Sequence, residues 1–176
     1  HAARFQAEFD PAFERLDIHF IRIHRADQVL TRGAAGDFEV LRRERNLEMR
    51  HFDGRLTVHL EIPDVRVGDL DETAWSVYGE CALLAGRYAG WTRFEWSPAG
   101  MVETRHRLLA PAARAIATKV LGGAAPEPTV TQIGDLIDRR WLVREREGVT
   151  TEPLALPWLH QLASLQLSEW RDWGEV

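Results

Sequence analysis

The amino-acid sequence predicts an α+β fold in which N-terminal helices pack on a curved, cone-like antiparallel β-sheet, followed by a C-terminal helical extension. The apolar residues of the opening segment recur with helical spacing, whereas from residue 47 they alternate with polar residues. Helical spacing returns after residue 110. Helices followed by a run of strands are typical of the α+β class. We expect residues 1–110 to form the core and residues 111–176 to extend the same globular unit.

The opening segment predicts two short helices. Asp10 and Pro11 supply an N-cap and a first-turn proline, which favours a helix from residue 10 through about residue 17. A strand is the alternative over residues 16–23, because the first half of that segment also alternates apolar and polar residues. A second amphipathic helix is expected over residues 34–46. The helical spacing of the first segment rests on Phe9, Phe13, Leu16, Phe20 and Ile23.

A β-hairpin is the clearest local pattern in the sequence. Asp53 and Gly54 form a two-residue turn between two alternating segments, residues 47–52 and 55–62. A two-residue turn sets the register, and this register places the apolar residues of both segments on one face of the sheet. That face consists of Leu47, Met49, Leu56, Val58, Leu60 and Ile62.

Further strands are expected to complete an antiparallel meander. The last two are joined by a turn in which Gly100 is expected to adopt the left-handed conformation. A bulged turn would place Thr92 opposite His106, whereas a simple four-residue loop would shift that pair, so both registers remain open. The predicted strands are residues 73–84, 91–96 and 101–109.

After residue 110 the sequence predicts two helices and one strand. A helix is expected over residues 111–121, because Gly122 and Gly123 follow it as a stop signal. Residues 141–143 have the composition of a strand. Residues 158–173 predict a final amphipathic helix that is apolar on more than one side, so it packs in the domain's own core or docks on a partner. Tryptophan is favoured as a buried anchor in interfaces. The candidate partner-binding residues are Trp158, Trp170 and Trp173.

The composition limits the classes of function. The 176 residues carry a net charge of −5, which argues against a sequence-independent grip on nucleic-acid phosphates. Cys81 is the single cysteine, so the chain holds no intrachain disulfide and no cluster of thiolate metal ligands. Apolar stretches are far shorter than the ~20 residues that span a bilayer. With one cysteine we expect a reducing intracellular compartment. Because the chain begins at His1 without an initiator methionine, an organelle reached after loss of a leader is also expected as an alternative.

Arginine dominates the basic residues, since Lys119 is the single lysine among 22 of them. One interpretation is the codon usage of a GC-rich genome. The other is that planar, bidentate contacts to a partner or to RNA favour arginine. No cluster of arginines in the sequence separates the two interpretations.

Local spacing predicts neither a metal site nor a nucleophile. His19 and His24 are five residues apart, off the spacing of four that places two ligands on one helix face. The predicted hairpin places His51 and His59 on opposite faces of its sheet. The sequence has no Gly-x-Ser-x-Gly elbow and no glycine-rich phosphate loop. We therefore predict no cofactor, no metal and no catalytic residue.

Two features resemble the nuclear-transport-factor-two-like superfamily, which includes polyketide-cyclase-like and ketosteroid-isomerase-like proteins. A break at Arg32 and Gly33 precedes the second predicted helix. The sequence WTRFEWSPAGMVETRHRLL, residues 91–109, is similar to the closing hairpin of that fold. The resemblance covers about residues 10–110. It implies a cone-shaped sheet around helices, with a cavity that some members use for small apolar molecules.

The resemblance also implies candidate site residues. A ketosteroid-isomerase-like site needs a carboxylate base, for which Asp17 and Asp27 are the early candidates, although both also fit the polar face of the first predicted helix. The pocket of such a cone would be lined by Tyr78, Trp91, Arg93 and His106.

Together these observations predict a non-catalytic accessory or assembly subunit of a larger protein complex, with protein partners docked on its scaffold. Whether the chain is an enzyme is left undecided, and the missing catalytic constellation favours that it is not. The alternative is a protein that binds a small apolar molecule in the cone pocket, or an isomerase or cyclase that acts on one.

Overall fold

The computed structural model describes residues 3–42, 54–94, 100–122, 125–148, 163–172 and 175. These residues contain twelve β-strands, one short 3-10 turn at Ala82–Leu84 and no α-helix. The predicted α+β class is therefore wrong, and the protein is mostly β. No helix of the described residues is long and apolar enough to cross a membrane. The strands are β1 (Ala3–Phe9), β2 (Glu14–Arg25), β3 (Gln28–Arg32), β4 (Glu39–Arg42), β5 (Leu56–Ile62), β6 (Leu70–Gly79), β7 (Ala89–Arg93), β8 (Met101–Pro111), β9 (Ala117–Leu121), β10 (Thr129–Ile133), β11 (Leu136–Arg146) and β12 (Ser164–Ser168).

The chain forms two compact units, His1–Gly86 and Arg87–Val176. The first unit contains two three-stranded antiparallel sheets, with strand orders β1-β5-β4 and β3-β2-β6. The second unit contains two more, with strand orders β10-β11-β8 and β7-β12-β9. The expected boundary at residue 110 falls at the end of β8, inside the second unit.

Strand β2 occupies the segment for which a helix was predicted from residue 10. A β-bulge between Ile18 and Phe20 shifts the pairing of β2 with β6 by one residue. The core-facing side chains therefore change from even positions, such as Leu16, to odd positions, Ile21 and Ile23, which are fully buried. The predicted helix from residue 10 is wrong, because Asp10 and Pro11 begin only a single turn between β1 and β2, in which the Phe13 and Glu14 N–H groups donate to the Asp10 carbonyl oxygen. The alternative, a strand over residues 16–23, is confirmed by β2.

Strand β5 confirms the second strand of the predicted hairpin. Val58, Leu60 and Ile62 are buried on one face, and Gly54 has a φ of 68°, as expected for a turn residue. Residues 43–53, with the first strand of the hairpin, lie outside the described residues. The predicted hairpin register is wrong, because β1 and β4 occupy the two edges of β5 from Leu56 to His59. The predicted helix over residues 34–46 is wrong where it is described, because β4 lies there and pairs with β5.

Strands β8 and β11 confirm two predicted strands and form the longest pair of the second unit. Their register runs from Leu136 opposite Pro111 to Arg146 opposite Met101. The predicted pairing of β7 with β8 is wrong, because β7 pairs with β12 and lies in a different sheet. Gly100 has the left-handed conformation that was expected, with a φ of 80°.

Both helices predicted after residue 110 are wrong where they are described. Strand β9 replaces the end of the first helix, and β12 lies inside the second. Strand β12 pairs with β7 on one side and β9 on the other, so its five residues form the centre of a sheet. Leu165 of this strand is buried in a core with Phe94, Trp141, Val143 and Ala163. Partners on both sides stabilise a strand whose own pattern is too short to predict it.

Candidate functional site

The outer face of the β7-β12-β9 sheet holds an open groove of about 540 Å³. Its side chains come from the three strands of this sheet, and the alternate side chains Leu165 and Val120 point to the core beneath. We call it the Trp91 groove. It is lined by Ala89, Gly90, Trp91, Ala117, Thr118, Lys119, Gln166, Leu167 and Ser168.

Three polar or aromatic side chains form a row across the groove. Gln166 on the central strand lies opposite Trp91 on one side and Lys119 on the other. Directly opposed residues of antiparallel strands point to the same face. Because neighbouring strands lie about 4.8 Å apart, the row spans roughly 10 Å. It presents an ammonium, a carboxamide and an indole N–H to one side of the sheet.

Small residues leave the floor of the groove open. Ala89 and Ala117 flank Ser168 in the row next to the polar one. Gly90, the neighbour of Trp91 on β7, faces the other side of the sheet, where a Cβ would lie 2.6 Å from the Tyr88 hydroxyl oxygen. Larger side chains at positions 89 and 117 would fill the space beside the polar row.

Arg93 and His106 support the aromatic end of the row. The Arg93 guanidinium lies 5.1 Å from the centroid of the Trp91 ring, within the range of a cation–π contact. His106 Nε2 lies 2.9 Å from the Arg93 carbonyl oxygen, so this nitrogen carries the proton and donates to it. The Phe94 ring packs edge-on against the imidazole at 5.0 Å. The structure thus brings together Trp91, Arg93 and His106, three of the four predicted ligand-binding residues.

An ion pair lies next to the row of Ala89, Ser168 and Ala117, because Glu169 directly follows Ser168. The Glu169 carboxylate accepts hydrogen bonds from the Arg114 guanidinium, with Nε at 2.6 Å, and from the Tyr88 backbone N–H at 2.5 Å. These bonds stabilise the charged form, with Arg114 the larger influence, so they lower the pKa of Glu169. The pair joins the end of β12 to the beginning of β7 and to the loop before β9.

Tyr78 belongs to a different surface, in the first unit. It lies on β6, where the Arg15 guanidinium sits 4.9 Å from the centroid of its ring. Trp75, Val77 and Tyr78 are 45%, 42% and 49% exposed. β6 pairs with β2 along one side and with no other described strand along the other. We call residues 73–79 the β6 edge.

The predicted partner-binding tryptophans are only in part described. Trp170 is half-buried, and the Arg87 guanidinium lies 5.7 Å from the centroid of its ring. Trp158 and Trp173 lie outside the described residues. A docking role for these three tryptophans stays a prediction.

A serine and a histidine meet on the outer face of the first unit. His19 Nε2 lies 2.8 Å from Ser76 Oγ, the distance at which a base can activate a nucleophile. Both lie on a sheet face, and among the described residues no carboxylate is bonded to the His19 ring. The described residues hold no group of three histidine, cysteine or acidic side chains suited to a metal ion. The pair therefore carries no assignment of catalysis.

The sequence model of DUF3857, a domain of unknown function with a solved structure, matches residues 1–147. The chain belongs to the DUF3857 family. The resemblance to the nuclear-transport-factor-two-like superfamily is wrong, because the helices that carried it are strands and its closing hairpin is split between two sheets. The cone pocket, which would have joined Tyr78 to the other three residues, has no counterpart in the described fold.

A solved structure shares the fold of this DUF3857 domain. It is the crystal structure of a candidate protease from Parabacteroides distasonis, with a TM-score of 0.77 and 13% sequence identity. The match covers 96% of this chain and 33% of the other, so the DUF3857 domain spans about a third of the length of that protein. No curated protein matches the chain. The family match ends before β12, the central strand of the groove, whereas the structural match covers nearly the whole chain.

Two groove residues of the DUF3857 domain were missed as site residues. Lys119 was noticed only as the single lysine and lay in a predicted helix, and Gln166 lay in the other predicted helix. The alternation of Ser164–Ser168, with Leu165 and Leu167 on one side, is consistent with Gln166 on the opposite face, but five residues are too few to outweigh the helical pattern around them.

Proposed function

We propose that this DUF3857 domain is a non-catalytic docking domain of a larger protein or complex, and that it binds an extended strand of its partner along the β6 edge. The observation that carries the proposal is a ten-residue edge strand whose second half, residues 73–79, has three exposed aromatic or apolar side chains. Edge strands present unpaired backbone N–H and C=O groups, on which another strand can add.

The charges along β6 support docking at one half of the strand. Asp71 and Glu72 lie in its first half, and Glu72 accepts a hydrogen bond from His24 at 2.8 Å when that imidazole nitrogen is protonated. The β6 edge, by contrast, contains no charged residue. Proteins commonly place charged side chains on a free edge strand to prevent pairing with other chains. The absence of charge from residues 73–79 therefore favours an edge that a partner strand covers.

The side chains of the β6 edge match an apolar partner strand. Trp75 packs edge-on against the core residue Phe5 at 5.5 Å, and Val77 lies two residues further on the same face. This face continues the core of the first unit but ends half-exposed. Because these side chains are already more than half covered, covering the remainder of one of them stabilises a complex by about 1 kcal/mol. The partner segment is therefore expected to alternate apolar residues on the face that continues this core.

The solved relative supports a partner outside this domain. That protein is about three times as long as the matched region, so a domain of this fold occurs there beside further polypeptide. We infer that the occupant of the β6 edge belongs to such a neighbouring part, carried on the same chain or on a second subunit. A second copy of this chain is the competing occupant.

Hydrogen exchange and native mass test this function. In the protein isolated from its own cell, the amides of residues 73–79 that point away from β2, about every second one, should exchange more slowly than in the 176-residue chain, because a partner strand bonds them. Amides of β3, the other edge of the same sheet, serve as the control and should not change. Val77→Lys should weaken the association about tenfold or more, since it brings a charge to the covered face.

Val29→Lys provides the matched variant, because Val29 is an exposed valine on β3. It should leave the association unchanged. A native mass equal to the single chain, with unchanged exchange at the β6 edge, would contradict the proposal. A mass of two identical copies would assign the edge to self-association and overturn the partner proposed above.

A further inference from the structure

We infer that the Trp91 groove binds the C-terminal end of a peptide, with Lys119 and Gln166 holding the terminal carboxylate and Trp91 contacting an apolar last side chain. The groove lies in the second unit and the β6 edge in the first. The inference therefore stands independently of the proposed docking function.

The charge of the groove selects an anion. None of its nine lining residues is acidic, although the whole chain has a net charge of −5. Glu127 shares a smaller neighbouring cavity of about 240 Å³ with Lys119, but the two form no ion pair. Among the described residues, no carboxylate lies within ion-pair distance of the Lys119 ammonium. A carboxylate from a ligand would give the Lys119 ammonium an ion-pair partner.

The polar row supplies a second contact to the same carboxylate. Gln166 lies directly opposite Lys119, and its amide makes no side-chain hydrogen bond to any described residue. An ammonium and an amide NH₂ on neighbouring strands can each donate to one carboxylate oxygen. Hydrogen bonds to a charged acceptor are stronger than those between neutral groups. One lysine in the lining fits a ligand with a single carboxylate.

The aromatic end of the groove requires an apolar group next to that carboxylate. Trp91 is 63% exposed, and Arg93 holds the ring from one side. Aspartate and glutamate side chains end in their carboxylate and leave nothing apolar for the indole. The last residue of a peptide, by contrast, carries a carboxylate and a side chain on the same Cα. This geometry matches a row with a cation at one end and an indole at the other.

The size of the groove favours a peptide over a free small acid. Its volume of about 540 Å³ falls within the range of roughly 300–1,000 Å³ that is typical of ligand sites. A single amino acid would leave much of the open floor between Ala89 and Ala117 uncovered. Preceding residues of the same peptide can cover it.

The single lysine provides a direct probe of binding. Reductive ¹³C-methylation of the full chain labels Lys119 as the one lysine signal, separate from the N-terminal amine. We would titrate this signal with N-acetyl-Ala-Ala-Ala-Phe as the free acid and as the C-terminal amide. The acid should shift the Lys119 signal with a dissociation constant in the millimolar range or below, and the amide should bind at least about tenfold more weakly.

Variants measured by calorimetry on unmodified protein separate charge from packing. Lys119→Gln should weaken binding of the acid about fivefold or more, whereas Lys119→Arg retains the charge and should retain most of the affinity. Trp91→Ala should weaken the phenylalanine peptide but have little effect on a peptide that ends in glycine. Raising the salt concentration should weaken binding of the acid.

Four outcomes would overturn the inference. Equal binding of acid and amide would show that the groove does not recognise a terminal carboxylate. Absence of binding by both peptides would show that the groove is not a peptide site. Equal binding of acetylated phenylalanine alone would assign the groove to a small acid. Equal binding of a peptide amide with an internal aspartate would assign it to acidic side chains. Because none of these results involves Val77, failure here is distinguishable from failure of docking at the β6 edge.

Discussion

Replacing Trp141 with alanine should lower the free energy of unfolding of the second unit by about 3–5 kcal/mol. Trp141 is 2% exposed and packs in the core with Phe94, Val143 and Leu165. Its removal takes a large apolar side chain from the core and leaves a cavity beneath the groove sheet. Urea denaturation measures the loss, and hydrogen exchange of the β8 and β11 amides localises it.

Leu142→Ala provides the matched control for this prediction. Leu142 is the next residue along β11, points to the opposite face and is 42% exposed. Its truncation should cost less than about 1 kcal/mol, because little surface is removed from the core and no cavity forms. Similar losses for Trp141→Ala and Leu142→Ala would contradict the assignment of Trp141 to the core.

Asp138→Asn should lower the thermal midpoint at neutral pH by roughly 5 °C. The Asp138 carboxylate is buried and accepts hydrogen bonds from Arg107 at 2.9 and 3.1 Å and from Arg140 at 2.6 and 3.0 Å. An asparagine keeps the shape but loses the charge and accepts with one oxygen only. The two guanidiniums then lose their buried partner.

The effect of Asp138→Asn should depend on pH. The hydrogen bonds from Arg107, and then those from Arg140, hold the pKa of Asp138 well below its ordinary value. A pKa that is lower in the folded state than in the unfolded state stabilises the fold above the unfolded pKa, and this contribution is lost as the pH falls. The difference between the two proteins should therefore be full at pH 7 and shrink below about pH 4.

Asp69 adds the same dependence in the first unit, because Arg25 lowers its pKa to about 2. Acid should therefore destabilise the native protein between about pH 4 and pH 2.

Asp135→Asn serves as the control for Asp138→Asn, since Asp135 is exposed on the same hairpin and its substitution should have little effect. A difference between Asp138→Asn and the native protein that is constant from pH 7 to pH 2 would contradict the role of its charge.

The two proposed surfaces can be tested separately. The β6 edge and the Trp91 groove belong to different units and share no residue. Val77→Lys should leave binding of the carboxylate peptide unchanged, and Lys119→Gln should leave association through β6 unchanged. A domain with both properties would hold a partner strand through one unit and the end of a peptide through the other.

Long alternating segments were predictable from the sequence. The strands at β5, β8 and residues 141–143 of β11 were predicted, because each carries apolar residues at every second position or the composition of a strand. The hairpin of β10 and β11 was missed, although it turns on Gly134 and Asp135, a common two-residue turn sequence. All five residues of β10 are exposed, so the segment lacks the run of buried apolar residues by which a strand is predicted.

The failures have two physical causes. Between β1 and β2 the start signal of Asp10 and Pro11 forms one turn instead of a helix, because β2 begins at Glu14 and pairs with β6. In β9 and β12 only five residues form each strand, too few for a period of two to exceed a helical pattern in the surrounding residues. These two strands exist because neighbouring strands pair with them.

The amino-acid sequence by itself determined the single lysine, the negative net charge and the places where long strands form, because these properties depend on residues close together in the chain. Only the tertiary structure placed β12 between β7 and β9 and so aligned Trp91, Gln166 and Lys119 in one row. Strand pairing joins residues that lie tens of positions apart, and local periodicity carries no information about which strands meet. The sequence could therefore place Trp91 and Arg93 on one strand, but only the pairing of β12 with β9 brought Lys119 into the same row.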